Sequence, residues 1–330
     1  MNALEALDHV RLNFSPASLH ILNLTLAFVM FGVALNIKVS HFKDIFFKPK
    51  SALVGIFSQF IALPFLTFIL VVLLKDYITP TIGLGMILVA ACPGGNISNF
   101  ISSLAKGNAA LSVSLTAFAT LMAVIMTPVN FAFWGKLYTG ILEKSSASQL
   151  VRPINIDFWQ MFQTVFIILG IPLILGLIIN HYWPSLTKKI IKPIKNLSIL
   201  AFLAIVVFAF AKNFHHFMLY VKFVFLLVLV HNALALITGY TLGRIFKLGV
   251  RDRKTLAIET GIQNSGLALV LIFNPKIFPP ELELGGMAII AAWWGIWHIV
   301  SGLTMAFIWS NTSFKISLKS ISGIIKNGNS

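Results

Sequence analysis

Ala91-Cys92-Pro93-Gly94-Gly95-Asn96-Ile97-Ser98-Asn99 and Ile258-Glu259-Thr260-Gly261-Ile262-Gln263-Asn264-Ser265-Gly266 are the two stretches that decide this fold. Each sits in the middle of an apolar run where a plain membrane helix would carry only Leu, Ile, Val and Phe. Pro93 lacks an amide donor and clashes one turn back, which costs roughly 3 kcal/mol in a helix interior, and each glycine adds about 1 kcal/mol relative to alanine. The first stretch is therefore predicted to break its helix. The second has no proline, but two glycines and a dense set of polar side chains predict a break there too. Backbone unwound at membrane depth must find its partners in protein or in a wet cavity, because lipid offers none. The two breaks are thus predicted to meet, as in an inverted repeat whose discontinuous helices cross at a binding site near the bilayer midplane.

Around these stretches the composition is that of a polytopic, all-α membrane protein. Of 330 residues 58% are hydrophobic and 11% charged, too little polar surface to coat a soluble globule. A single cysteine excludes an intrachain disulfide framework and any multi-thiolate metal site. The formal charge of +15 lies between apolar runs rather than on one soluble face, which argues against nucleic acid and for topology signals facing lipid. With a hydrocarbon core about 30 Å thick and a rise of about 1.5 Å per residue, nine transmembrane helices are predicted. They cover 18–37, 52–74, 80–104, 109–134, 158–181, 197–213, 217–242, 255–275 and 284–310, with a split at Lys212. His215 and His216 are read as polar caps on the tight loop there. No basic n-region opens the chain, so residues 1–17 are expected to be an extracytoplasmic tail and 311–330 a cytoplasmic basic tail. Lys188, Lys189, Lys192, Lys195, Arg244, Lys247, Arg251, Arg253 and Lys254 fall on one side with most of the other basic residues, which predicts the N-terminus outside and the C-terminus inside. Trp134, Trp159, Trp183 and Trp309 are read as interfacial anchors at span ends, and Trp293, Trp294 and Trp297 as mid-span residues in helix packing or lipid contact.

Glu259 is the only acid placed well inside a span, where a carboxylate costs about 2.5–3.5 kcal/mol on insertion scales and must be neutral, paired or cation-bound. No lysine or arginine within the spans is an obvious partner; a structural carboxylate bonded to Gln or Asn is the plain alternative. Ser112 and Thr116, at i and i+4 on the fourth span, share a helix face. With Asn99 and Glu259 they make an all-oxygen set that suits a hard cation such as Na+ better than a soft metal.

The two broken stretches, together with Ala105-Lys106-Gly107-Asn108-Ala109-Ala110-Leu111-Ser112-Val113-Ser114-Leu115-Thr116, resemble the bile acid:sodium symporter family. Weaker likeness at Met30-Phe31-Gly32, Gln59, His231-Asn232 and Trp297-His298 extends along nearly the whole chain. The resemblance implies the nine-helix form of that fold. Its panel would be 18–37 and 158–213 and its core 52–134 and 217–310, with a substrate crevice between them. It further implies two transported Na+ ions. The first would be held by Ser98, Asn99, Ser112, Thr116 and Glu259, and the second by Gln59, Glu259 and Gln263 with the carbonyls of Thr260 and Ile262. Asn96 and Asn264, with the half-helix amides at Ile97 and Ser265, would face the anionic group of the substrate. His298 either lines the crevice or is a buried structural histidine. Asn96 stands where a small hydroxyl residue can follow the glycine pair, and Ile299 follows His298 where bacterial members continue with asparagine; both departures bear on the substrate rather than on sodium.

The expected activity is sodium-coupled import of an organic anion by alternating access, with no enzymatic step. The anion would be a bile acid, a steroid conjugate or a small carboxylate such as pantoate, and the location a bacterial inner membrane. No obligate protein partner is read from the sequence. The rivals are a metalloid or organic-anion effluxer of related architecture with Cys92 at its chemistry, an uncoupled solute-binding membrane protein, and an intramembrane hydrolase built on Ser265 and His298, which would lack a free carboxylate to orient the histidine.

Overall fold

The computed structural model of the chain describes residues 16–35, 37, 49–95, 97–144, 157–194, 196–197, 200, 214–274, 276–278 and 282–327. The described residues are helical, with one isolated antiparallel bridge between Gly94 and Gln263. In chain order the main helices are α1 (Pro16–Ala34), α2 (Pro49–Leu73), α3 (Pro80–Ala91), α4 (Ile97–Leu104), α5 (Ala109–Glu143), α6 (Phe158–Tyr182), α7 (Phe214–Ile245), α8 (Val250–Gly261), α9 (Ser265–Ile272) and α10 (Gly285–Asn327). Among the described residues five stretches are long and apolar enough to cross a membrane: Pro49–Leu73, Ala109–Glu143, Phe158–Tyr182, Val224–Ile245 and Gly285–Ser310. Asn23–Ala34 and Pro80–Ala91 are shorter apolar helices.

Local chemistry sets most of the helix ends. Thr79 caps α3 and Pro80 occupies its first turn, where a missing N–H costs nothing. Asn108, Asp157 and Asn264 cap α5, α6 and α9 by accepting from the amides of Leu111, Gln160 and Leu267 at 3.1, 2.9 and 3.0 Å. Inside α2 the turn Ser58–Ala62 widens to π geometry, with the Leu63 amide reaching back to the Ser58 carbonyl. A second π turn, Phe166–Gly170, interrupts α6. In both, proline stands second after the wide turn (Pro64, Pro172) and withholds the amide a regular ladder needs.

Every residue of α3 is buried, and it packs against α5 and α10. Gly85 permits this approach, since a Cβ there would lie 2.7 Å from the Met287 Cα. Met86, Ile87, Phe131, Leu271 and Trp294 belong to one continuous core around it. This central position places the end of α3, and hence the first break, deep in the molecule.

Several boundaries differ from the sequence expectation. The fourth span does not stop at 134: α5 runs to Glu143. Trp134, read as an interfacial anchor, instead packs on Phe65, Phe68 and Phe133 and donates to Asn130. Helix α10, the counterpart of the predicted span 284–310, continues to Asn327, so part of the expected basic tail is helical. His215 and His216 lie in the first turn of α7 rather than on a loop. The eighth span begins at Val250, where Asp252 accepts from Ser51 and Asn108 at 2.6 and 2.8 Å and so holds the charged first turn in place. Trp309 stacks on Tyr240. Trp159 and Trp183 are exposed at their helix ends. The split at Lys212 and most of the sixth span fall outside the described residues.

Candidate functional site: a carboxylate among hydroxyls at two helix breaks

Helix α3 ends at Ala91 and the chain resumes as α4 at Ile97; α8 ends at Gly261 and resumes as α9 at Ser265. The two gaps satisfy each other. The Gly95 amide donates to the Ile262 carbonyl and the Asn264 amide to the Pro93 carbonyl, both at 2.8 Å. This reciprocal pair supplies the partners that lipid could not. Gly95 can take its place here because a Cβ on it would stand 3.2 Å from the Gln263 carbonyl oxygen.

Glu259, 2% exposed, lies beside this bridge on the last turn of α8. Its Oε1 accepts from Ser98 Oγ at 2.7 Å and also from Ser112 Oγ, and its Oε2 accepts from Thr116 Oγ1 at 2.9 Å. Asn99 Oδ1 stands 3.0 Å from Ser112 Oγ and 3.1 Å from Thr116 Oγ1. The structure thus brings together all five residues predicted for the first cation site. Each hydroxyl has one proton, so Ser112 and Thr116 cannot serve both the carboxylate and Asn99 at once. Oxygen lone pairs exceed protons, and no Lys, Arg or His forms a salt bridge with Glu259 among the described residues. A small hard cation is the group that would satisfy such a set. No cluster of three His, Cys, Asp or Glu suited to a metal ion occurs among the described residues.

Two of the residues predicted for a second site, Gln59 and Glu259, meet at Gly94. A Cβ on that glycine would stand 2.8 Å from Gln59 Nε2 and 3.4 Å from Glu259 Oε2, so the three groups crowd one another only because position 94 has no side chain. Gln59 is carried by the π turn of α2, is 2% exposed, and its Nε2 has no hydrogen-bond partner. Gln263 is fully buried; its Nε2 donates to the Thr260 carbonyl at 2.7 Å while Oε1 has no partner. The carbonyls of Thr260 and Ile262 each accept one hydrogen bond and keep a second lone pair.

Of the predicted substrate contacts, Asn96 lies outside the described residues. Ile97 is exposed at the start of α4, Asn264 is committed as the cap of α9, and Ser265 is buried against Gly295. His298 is buried on α10 with Nδ1 unpartnered. Cys92 caps the end of α3 and is buried in the apolar core.

The sequence reading missed a second layer of polar contacts that frames the cluster. Ser102 and Thr255 meet at 2.9 Å, Thr255 Oγ1 also accepts from the Asn108 amide at 2.8 Å, and Ser58 and Thr260 meet at 2.8 Å. The signal was present as spacing. Ser98 and Ser102, like Thr255 and Glu259, are i, i+4 pairs, so one polar edge of α4 faces one polar edge of α8.

The sequence pattern of the Sodium Bile acid symporter family matches residues 23–219, more than half of the chain. The chain belongs to the sodium bile acid symporter family. Over 288 residues it is 30% identical to the uncharacterized sodium-dependent transporter YocS of Bacillus subtilis, a match covering 86% of this chain and 81% of that protein. It is 27% identical over 264 residues to the human ileal sodium/bile acid cotransporter, covering 80% and 72%. The probable sodium/metabolite cotransporter BASS1, chloroplastic, of Arabidopsis thaliana is 27% identical over 290 residues, covering 88% and 67%. This family member is therefore a sodium-dependent transporter and a multi-pass membrane protein, not an enzyme.

Proposed function

We propose that the protein is a sodium symporter that imports an organic anion by alternating access, with two Na+ ions that share Glu259. Glu259, enclosed by the hydroxyls of Ser98, Ser112 and Thr116 where two helix breaks bridge one another, is the observation that carries this reading. One ion takes Ser98, Asn99, Ser112, Thr116 and Glu259; the other takes Gln59, Glu259, Gln263 and the carbonyls of Thr260 and Ile262. Binding draws the four ends at the breaks together, and the anion meets the amide ends of α4 and α9 near Asn96, Ile97, Asn264, Ser265 and His298. A core of 52–134 and 217–310 then moves against a panel of 18–37 and 158–213, in a nine-span inverted repeat with the N-terminus outside and the C-terminus inside. A bacterial inner membrane is the proposed location.

Energetics favour two ions over one. Each tenfold sodium gradient supplies about 1.4 kcal/mol, and one net positive charge crossing 100 mV about 2.3 kcal/mol. Two ions with a monoanion therefore supply roughly 5 kcal/mol, an accumulation limit of several thousandfold, whereas one ion with a monoanion would draw nothing from the potential. The relatives' names point to bile acids or metabolites, and the apolar helix walls suit a steroid conjugate or a small carboxylate.

Uptake into liposomes with and without an inward sodium gradient, across taurocholate, pantoate and a sulfated steroid, tests the reading. Sodium-stimulated, potential-dependent uptake of one of them is expected; binding without net uptake, or uptake indifferent to sodium, would overturn it. Ser112→Ala should raise the sodium concentration for half-maximal uptake about tenfold, as loss of one oxygen ligand predicts. An unchanged sodium response would make Ser112 a packing residue. Cys92→Ala should leave uptake within about twofold of the parent, because the thiol is buried in the apolar core; its loss of activity would point to thiol-dependent efflux instead.

A further inference from the structure

Two buried asparagines stand outside the oxygen cluster, Asn130 on α5 and Asn232 on α7. Each is committed at both ends of its amide. Asn130 Nδ2 donates to the Phe60 carbonyl at 3.0 Å, and its Oδ1 accepts from Trp134 Nε1 at 3.3 Å. Asn232 Nδ2 donates to the Gly261 carbonyl at 2.7 Å, and its Oδ1 accepts from Ser301 Oγ at 2.5 Å.

Both carbonyls lie at places where the helix ladder fails. Phe60 is in the π turn of α2, four residues before Pro64, which has no amide to offer. Gly261 is the last residue of α8, where carbonyls lose their intrahelical donors. Each irregular turn also carries one buried glutamine with an unpartnered amide atom: Gln59 Nε2 in the first, Gln263 Oε1 two residues after the second. Gln263 Nε2 reaches only the Thr260 carbonyl, and neither glutamine is bonded to the Phe60 or Gly261 carbonyl. The asparagines, reaching in from helices that contribute nothing else to that pocket, satisfy those two carbonyls.

We propose that Asn130 and Asn232 are positioning residues for the second sodium pocket, acting through Gln59 and Gln263 respectively. This rests on the pocket proposed above. A neutral amide from a neighbouring helix satisfies the freed carbonyl and fixes the irregular turn in both cases; Gln263 Oε1 is then free to ligate an ion, and Gln59, whose Nε2 is unpartnered, turns its amide over to present Oε1 when the ion binds. Outer partners of this kind are worth about ten- to a hundredfold in the affinity of a cation site.

Double-mutant cycles on the full-length protein in liposomes test it, with uptake of whichever anion shows sodium stimulation as the signal. Asn130→Ala should raise the sodium concentration for half-maximal uptake about tenfold in the parent but less than about twofold in a Gln59→Ala background. Asn232→Ala should behave likewise with Gln263→Ala. Should either alanine variant fail to fold, Trp134→Phe and Ser301→Ala remove only the donor that orients each amide, and a rise of about threefold is expected, again erased when the glutamine is absent. Equal shifts in both backgrounds, or no shift, would overturn the inference while leaving the pocket intact. Glutamine variants with the parent's sodium response would overturn the pocket and this inference together.

Discussion

Replacing Glu259 by alanine is expected to reduce uptake to its sodium-free level, with at least a hundredfold loss of sodium affinity, about 2.8 kcal/mol. The carboxylate is the only charge in the oxygen cluster and is shared by both proposed sites, so its removal leaves hydroxyls and amides that bind Na+ no better than water does. Freed of the carboxylate, Ser98, Ser112 and Thr116 can donate to carbonyls on their own helices, so the variant should still insert and fold. Glu259→Gln separates charge from shape, since it keeps the hydrogen-bond frame and should be nearly as inactive. Thermal unfolding of the detergent-solubilised protein in sodium against choline is the measurement. The parent should be stabilised by sodium and neither variant should be; equal stabilisation of parent and Glu259→Ala would remove the ion assignment.

Gly239→Val is expected to lower the melting temperature by on the order of 10 °C and to weaken sodium binding at the same time. Gly239 faces α8 so closely that an added Cβ would lie 2.3 Å from the Leu256 carbonyl oxygen and 2.8 Å from the Ala257 Cα. These are backbone atoms, and a Cβ has no rotamer with which to avoid them. Helices α7 and α8 would have to part by roughly an ångström to restore ordinary contact. Small residues at such crossings are what let membrane helices approach in the absence of a hydrophobic drive between them. Leu256 is one turn from Glu259, so the separation would also loosen the carboxylate from Ser98 and Thr116. Size-exclusion chromatography after graded heating reads the first effect and the sodium response of melting the second. A variant that melts with the parent would show that these helices do not need this contact.

The breaks were readable because their causes are local. Pro93 and the glycines beside it withdraw donors and raise the cost of helix within a few residues, and the polar run from Glu259 to Ser265 cannot face lipid. The carboxylate stood out for a similar reason: an acid at that depth is expensive wherever its partners are. What misled the reading were residues whose role depends on a neighbour. Trp134 and the polar residues after it resemble an interface, yet Phe65 and Phe68 of α2 cover the indole and α5 continues past it. The histidine pair before Phe217 resembles a loop, but the helix of α7 already begins at Phe214. Spacing showed that Ser98 and Ser102, or Thr255 and Glu259, share a face; it carried no information on which faces meet.

By itself, then, the sequence determined the helical membrane class, the places where helices fail and the one acid that must find company, because backbone hydrogen bonding and burial cost are properties of a residue and its immediate neighbours. Only the tertiary structure decided that Gly95 and Asn264 complete each other's strands of backbone, that three hydroxyls from α4 and α5 close on Glu259, and that two distant asparagines hold the turns bearing Gln59 and Gln263. Those pairings join positions as far apart as Pro93 and Asn264, and among many apolar helix faces of equal hydrophobicity the choice is made by which packing gives the freed backbone groups their partners.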